Sequence, residues 1–270
     1  MSFRPRDFSR QEPYDPTFYE PLAAAEERHF WFRVRNRIIE TLARQVTADF
    51  KPGFRALEVG CGTGNVLRVL VAACPQGTVI GMDFFGEALS WARRRVSGPL
   101  LQADVRTPPF RVQFELIGLF DVLEHLADDG QALRDLHALL GEGGVLLLTV
   151  PAHASLWSYW DEACQHYRRY ASHELQDKLT ATGYRVEYLT PFMAPLLPLM
   201  WLKRRLAPAV HRGTVGGTQR GRELAARELR IIPGVNTLLE WILVPEVALI
   251  ARRCRLPIGT SLLAIARKRT

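Results

Sequence analysis

The segment Ala56-Leu57-Glu58-Val59-Gly60-Cys61-Gly62-Thr63-Gly64-Asn65 brings several chemical devices together. An apolar run ends beside a carboxylate, three glycines alternate, and a helical pattern starts. The glycines let the backbone turn sharply and approach a ligand closely. The start of a helix offers unpaired N–H groups and the positive end of a dipole. Gly60, Gly62 and Gly64 do not have the spacing of the dinucleotide fingerprint, and no Lys-Ser/Thr pair follows as in a P-loop. Glu58 would repel a pyrophosphate but attract an amino group. A ligand carrying both an ammonium and a carboxylate suits this loop.

Two further carboxylates follow at the ends of apolar runs. Asp83 closes VIGMD, where an acid is placed to bind ribose hydroxyls. Asp104 follows LLQA, where a carboxylate can accept from an adenine amino group. Amino acid, ribose and adenine, in that order, describe S-adenosylmethionine (SAM).

These groups need elements that hold them in line. Short apolar runs at Arg55–Val59, Thr78–Met82, Leu100–Ala103, Phe114–Phe120 and Gly144–Val150 read as strands. Helical segments near Asn65–Ala73, Gly86–Val96 and Asp129–Leu140 lie between them. Such alternation implies an α/β, doubly wound parallel sheet. Residues 1–20 read as a surface arm, and Pro21 to Phe50 as one covering helix. Ser172–Thr182 reads as a helix, Tyr184–Thr190 and Ser261–Arg267 as the last two strands. About 70 residues separate those strands, far beyond an ordinary connection of about 4–6. A helix over 235–253, interrupted by Pro245, and a glycine-rich turn at Gly213–Gly221 fall in that insertion. The division expected is 1–50 as cover, 51–190 as core, 191–259 as a basic insertion, and 260–270 as the final core strand.

Residues 55–150 resemble a class I SAM-dependent methyltransferase through LEVGCGTGN, GMD, QAD, FELIGLFDVLEHL and LLGEGGVLLLTVP, in that order. HFWFRVR and VPAHASLWSYWDEACQHYRRY are similar to segments of one bacterial branch of these enzymes. The resemblance implies a Rossmann-like seven-stranded sheet ordered 3-2-1-4-5-7-6, with the seventh strand antiparallel. It also implies that Glu58, Gly60, Gly62 and Gly64 line the methionine half of SAM and that Asp83 holds the ribose. Phe84 would pack on the adenine, Asp104 and Val105 would read its edge, and Phe120 and Asp121 would lie beside the sulfonium. Arg35 on the covering helix would pair with the SAM carboxylate.

Methyl transfer from a sulfonium is an in-line displacement, in which alignment can cover about 7–11 kcal/mol of barrier. A hydroxyl acceptor also wants a general base, worth about 10²–10⁴-fold. His125, in Asp121-Val122-Leu123-Glu124-His125, is the leading candidate, with Asp121 and His153 as the other catalytic candidates. The opposing reading has Glu124 and His125 shaping the loop. His153, Asp161 and His166 could instead form a base or metal cluster, but their spacing matches no zinc signature and no metal is expected. Trp157, Tyr159, Trp160 and Tyr167 offer an acceptor-side wall, and Arg168-Arg169 an anion contact. Phe30, Trp31 and Phe32 read as a lid or as a packed aromatic face, and Cys61 as a packing residue.

Charge separates these regions from the insertion. The chain has 270 residues and a formal charge of +7. Residues 200–270 hold 14 Lys and Arg against 4 Asp and Glu, and residues 1–199 hold 21 against 24. LLPLMWLKRRL joins an apolar run, a Trp and a basic cluster, as an interface-lying segment does. Val235 to Ala251 is short for a span, and Glu240 and Glu246 make spanning costly. Cysteines 61, 74, 164 and 254 form no CxxC pair, and the N-terminus has no signal-peptide core. The expectation is a cytoplasmic enzyme, peripheral at the inner membrane face if the insertion docks there. Its acceptor would be a small molecule or a lipid- or glycan-linked one, with methylation on oxygen favoured. A SAM-binding interaction protein without turnover is the alternative. Nucleic acid is disfavoured, because the fourth strand ends in Phe-Asp-Val-Leu rather than Asn/Asp-Pro-Pro-aromatic.

Overall fold

Period-two burial along the strands decides the architecture. Ala56, Leu116, Val145, Leu147, Leu263 and Ile265 face one apolar core, while Leu57, Ile117, Leu146, Leu148, Leu262 and Ala264 face another. Each fully buried Leu, Ile or Val among them contributes roughly 1.5–3 kcal/mol. The sheet is therefore covered on both faces. A computed structural model describes residues 19–206 and 229–269 of the chain. Of the arm expected over 1–20, residues 1–18 lie outside the described residues, as does the turn at Gly213–Gly221, while Tyr19 and Glu20 belong to a helix and Tyr19 is buried.

The strands are β1 (Arg55–Val59), β2 (Thr78–Asp83), β3 (Leu100–Gln102), β4 (Phe114–Phe120), β5 (Leu140–Pro151), β6 (Tyr184–Phe192) and β7 (Ser261–Lys268). They form one sheet in the order β3-β2-β1-β4-β5-β7-β6, with β7 antiparallel to both neighbours and the other pairs parallel. Strand order reverses between β1 and β4, so their carboxyl ends open the crevice where such sheets bind ligands. The expected fold and strand order are present. β5 starts four residues earlier than the sequence pattern suggests, because Leu140 already pairs with Phe114 ahead of a register shift.

The N-terminal cover is two helices rather than one, α1 (Tyr19–Arg28) and α2 (Phe30–Thr47). His29 between them is extended, and its ring accepts from the Trp31 N–H at 3.3 Å, capping α2. α2 buries Val34, Ile38, Ile39 and Leu42 against the first core, beside α3 (Asn65–Ala73). α4 (Gly86–Ala92) ends short of the expected Val96. The second core is covered by α5 (Asp129–Leu139) and α7 (Ser172–Ala181), with the short α6 (Tyr159–Ala163) between them in sequence.

Between β6 and β7 stand α8 (Leu196–Leu206) and α9 (Pro233–Ala251). α9 runs unbroken through Pro245, contrary to the interruption expected. Pro245 is on the exposed side, so the carbonyl it frees at Trp241 can meet solvent. Glu240 of α9 takes Arg33 and Arg37 of α2 at 3.1 and 2.8 Å. Glu246 accepts the N–H groups of Met193 and Ala194, each at 2.7 Å. Asn236 accepts from the Phe30 N–H at 2.9 Å and donates to the Arg28 carbonyl at 3.0 Å, clasping the junction of α1 and α2.

Candidate active site

The loop from β1 into α3 is held from below by β2. Gly60 and Cys61 donate to the Met82 carbonyl at 2.8 and 3.0 Å. The Gly62 N–H donates to Asp83 Oδ2 at 2.7 Å, and the Phe85 N–H donates to Oδ1 at 2.9 Å. Asp83 thus ties the glycine loop to the start of α4. Its burial pushes the carboxyl up, and the amides of Phe85 and Gly62 oppose that. The glycines serve different ends. A Cβ at Gly60 would collide with Val122, and one at Gly64 would meet Ala92 Cα at 2.9 Å, whereas one at Gly62 meets nothing within 4 Å. Gly64 permits helix packing; Gly62 faces open space.

That space is a cavity of about 1160 Å³, larger than the roughly 300–1,000 Å³ of single small-molecule sites. Glu58, Gly60, Gly62, Asp83, Phe84, Asp104, Val105, Phe120, Asp121, Arg35 and His125 all line it. Gly64 and His153 do not. His153 instead occupies a turn with φ 59° after β5, and its N–H donates to the Tyr170 carbonyl. The catalytic reading of His153 thus has no cavity contact to support it.

Glu58 is 2% exposed, and its Oε2 has no hydrogen-bond partner. Burial raises its carboxyl well above the ordinary range, against the pull of Arg35. Arg35 reaches across from α2 to Asp121 Oδ2 at 2.6 Å, under Trp31 at 4.6 Å and Phe32 at 5.4 Å. Its Nε is buried without a partner. Asp121 has φ 54°, and its N–H donates to the Thr149 carbonyl at 2.9 Å. Asp104 is bound by the Arg106 guanidinium at 2.6 Å, so its carboxylate is shared with that pair. Phe30, Trp31 and Phe32 line the cavity, and Phe30 and Trp31 also pack against the first core.

Beyond β4 the walls come from distant segments. His125 is pushed down to about 3 by burial, with His166 adding to the effect. A neutral imidazole of that kind is a poor proton acceptor near neutrality, which weakens its reading as general base. The rings of His125 and His166 stand edge to face with centroids 4.6 Å apart. Asp161 is fully buried and takes His166 Nδ1 at 3.0 Å, Arg169 Nε at 2.7 Å and the Ser158 N–H at 2.9 Å. The expected cluster therefore keeps Asp161 and His166 but exchanges His153 for His125. Glu124 is buried with Oε2 unpartnered, and burial followed by Asp121 raises its carboxyl.

Of the aromatic wall, Trp160 and Tyr167 line the cavity and Trp157 and Tyr159 do not. Arg168 and Arg169 are not free for an anion: Arg168 binds Asp129 at 2.7 Å, and Arg169 binds Asp161. Cys61 is buried, as a packing residue should be. Sequence reasoning missed Tyr19 and Glu26 of α1, which line the cavity. Glu26 binds Thr63 of the glycine loop and Arg95. Only the apolar spacing of that stretch was visible, and it does not signal a contact 37 residues away.

A doubly wound sheet in this order, with a glycine loop after β1 and carboxylates closing β2 and β3, defines the Rossmann-like methyltransferase class. A family model described as a methyltransferase domain matches residues 12–189. The chain belongs to the class I SAM-dependent methyltransferases. It is 35% identical over 143 residues to an uncharacterised 37.1 kDa transposon protein of Streptomyces fradiae, covering 50% of this chain and 40% of that protein. A probable SAM-dependent methyltransferase of Mycolicibacterium smegmatis is 26% identical over 169 residues, 60% of this chain and 62% of its own length. The chain thus spans less than two thirds of either relative. Among solved structures, the plantazolicin methyltransferase BamL with S-adenosylhomocysteine superposes with a TM-score of 0.58 at 14% identity, covering 95% of this chain and 92% of that one. That likeness speaks for the fold.

Proposed function

We propose that this protein transfers a methyl group from SAM to an oxygen of an amphiphilic, lipid-borne acceptor while docked on an anionic membrane surface. The residues fit the cofactor. The unpartnered Oε2 of Glu58 suits its ammonium, the open space at Gly62 admits its chain, and Asp83 and Phe84 line the same cavity, which supports their assignment to ribose and adenine. When bound, SAM supplies an activated methyl carbon. The chain's own part is alignment: Arg35 and Asp121 fix the floor between the cofactor loop and the acceptor side, and Phe120 walls the reacting end. Asp121, Glu124 and His166 ring the end of β4 with groups that accept from a hydroxyl.

One observation carries the acceptor class: α9 is inside out. Its two carboxylates, Glu240 and Glu246, face the protein. Its exposed side carries Val235, Leu238, Trp241, Ile242, Val244 and Leu249 and no charged residue. Trp241 is 74% exposed. A soluble surface helix has the opposite arrangement. The helix passes the length and hydropathy test for a span, at 19 residues and a mean of 1.5. Its glutamates are nonetheless engaged by Arg33, Arg37 and the turn before α8, so it lies along a surface rather than through one. Leu199 of α8 and Val235 are each about half exposed and also line the cavity, so the apolar surface runs into the site. Arg252 and Arg255 follow α9, both exposed, which complements anionic headgroups.

Flotation tests the reading. The protein should rise with phosphatidylglycerol vesicles and much less with phosphatidylcholine. Leu238→Glu/Trp241→Glu should lose at least tenfold in vesicle affinity, about 1.4 kcal/mol, with SAM affinity by calorimetry unchanged. No flotation at low salt sinks the membrane assignment. A wild-type dimer that the double variant converts to monomer would instead give this face to a second copy. Labelled SAM incubated with fractionated cells should mark the lipid extract; label confined to water-soluble products refutes the acceptor class.

A further inference from the structure

We infer that Glu124, His125 and His166 form a binding site for one divalent first-row metal ion on the acceptor side of the cavity. One ligand atom from each residue lies within 4.8 Å of those of the other two, the spacing of donors around a single ion. All three residues line the same cavity. Two imidazoles and a carboxylate on one side of an ion leave its remaining positions open, the arrangement of metal sites that bind a further ligand.

Three observations separate this group from a chance cluster. The first is Glu124 Oε2, an oxygen buried in a residue 1% exposed, with no hydrogen-bond partner among the described residues. An unmet buried carboxylate oxygen is costly, and a cation is the natural partner for it. The second is the orientation of the rings. Asp161 holds His166 through Nδ1 at 3.0 Å and is itself fixed by Arg169 at 2.7 Å, leaving the other ring nitrogen of His166 for the cluster. The Cys164 backbone carbonyl accepts from the His125 ring in the same way. Carboxylates and carbonyls behind the ligating imidazoles are what metal sites use to fix tautomer and direction. The third is the backbone frame: the Tyr167 N–H donates to the Glu124 carbonyl at 2.8 Å, fastening the segment that carries His166 to the turn that carries Glu124.

Nitrogen and oxygen donors of this kind suit Mn²⁺, Fe²⁺ or Zn²⁺ rather than a soft ion. Asp121, paired with Arg35, stands two residues before Leu123 at the same strand end. A cation here would meet the acceptor oxygen and favour its ionised form. That consequence rests on the methyltransferase reading; the binding of the cation does not.

The probe is Mn²⁺, which also avoids the thiol of exposed Cys254. Metal-stripped full chain should take up one Mn²⁺ per molecule by calorimetry, and its pulsed electron spin resonance should show coupling to two imidazole nitrogens. Glu124→Gln and His166→Gln should each weaken uptake at least 100-fold while circular dichroism stays native. No stoichiometric uptake of Mn²⁺ or Zn²⁺, or wild-type uptake in both folded variants, overturns the inference. If a variant fails to fold, the wild-type spectrum decides alone: absence of imidazole coupling overturns the site. None of these readouts involves turnover, so they stand or fall apart from the proposed activity.

Discussion

At the β1–β2 end of the cavity the ligand-facing surface is mostly backbone, whereas beyond β4 it is mostly side chain. The first half consists of glycine turns pinned by Met82 and Asp83, all within 30 residues of chain. The second draws Glu124 and His125 from the turn after β4, His166 and Arg169 from the segment after β5, and apolar residues from α8 and α9. A backbone site needs few side chains to be right, so it can stay constant while the acceptor wall is rebuilt. Arg35 and Asp121, 2.6 Å apart, are the seam between the two.

The largest expected effect is on the first half. Asp83→Ala removes two charge-assisted hydrogen bonds, to Gly62 and Phe85, along with the assigned ribose contact. Bonds to charged groups are worth about 1.5–3 kcal/mol each, so SAM affinity by calorimetry should fall at least 100-fold. Mn²⁺ uptake at the acceptor side should stay within a fewfold of wild type. Equal loss of both would show that the halves are one unit, and unchanged SAM affinity would remove Asp83 from the cofactor site.

Within the glycine loop, the contrast can be sharpened by one methyl group. Both Gly62 and Gly64 are left-handed, so alanine costs about 1–2 kcal/mol of strain at either. At Gly64 the added Cβ also presses on the Ala92 backbone, while at Gly62 it enters the cavity. Gly64→Ala should therefore lower Tm by several degrees more than Gly62→Ala. Gly62→Ala should weaken SAM roughly tenfold more than Gly64→Ala. A reversed order in either measurement would reassign which glycine faces the ligand.

The same contrast explains what could be read from residues alone. The loop, the carboxylates after β2 and β3, and the strand order were legible because backbone turns and apolar periods are local properties. The break at His29 was not, since the apolar spacing runs on across it. Arg35 was placed correctly on the covering helix, but its partner Asp121 lies 86 residues away and carries no mark of the pairing. His153 is near the site in sequence but is not on the cavity wall, and its left-handed backbone was not legible from residue type. Glu240 and Glu246 were read as obstacles to burial in a membrane. Hydropathy sums do not say which face a charge occupies, and both carboxylates are partnered inside the protein.

The smallest effect expected is on how the two halves meet acid. The acceptor wall is fastened through Asp129, whose carboxylate takes Lys178 at 2.6 Å, Arg168 at 2.7 Å and the Tyr170 hydroxyl at 2.8 Å. Burial pushes this carboxyl up, but Lys178, Arg168 and Tyr170 outweigh burial and hold it below the ordinary carboxylate range. Folding thus lowers its proton affinity. Its contribution to stability is present above the unfolded carboxylate range and is lost as pH falls through the folded value. The glycine loop has no such dependence on its own bonds to Met82, which are between backbone groups. Hydrogen exchange, corrected for the intrinsic pH dependence, should show residues 166–178 losing protection before residues 56–62 as pH drops below about 4. Asp129→Asn should bring that loosening to neutral pH while leaving the loop protected. Simultaneous loss of protection in both segments would mean that the wall and the loop unfold as one cooperative piece, and that their difference is one of construction only.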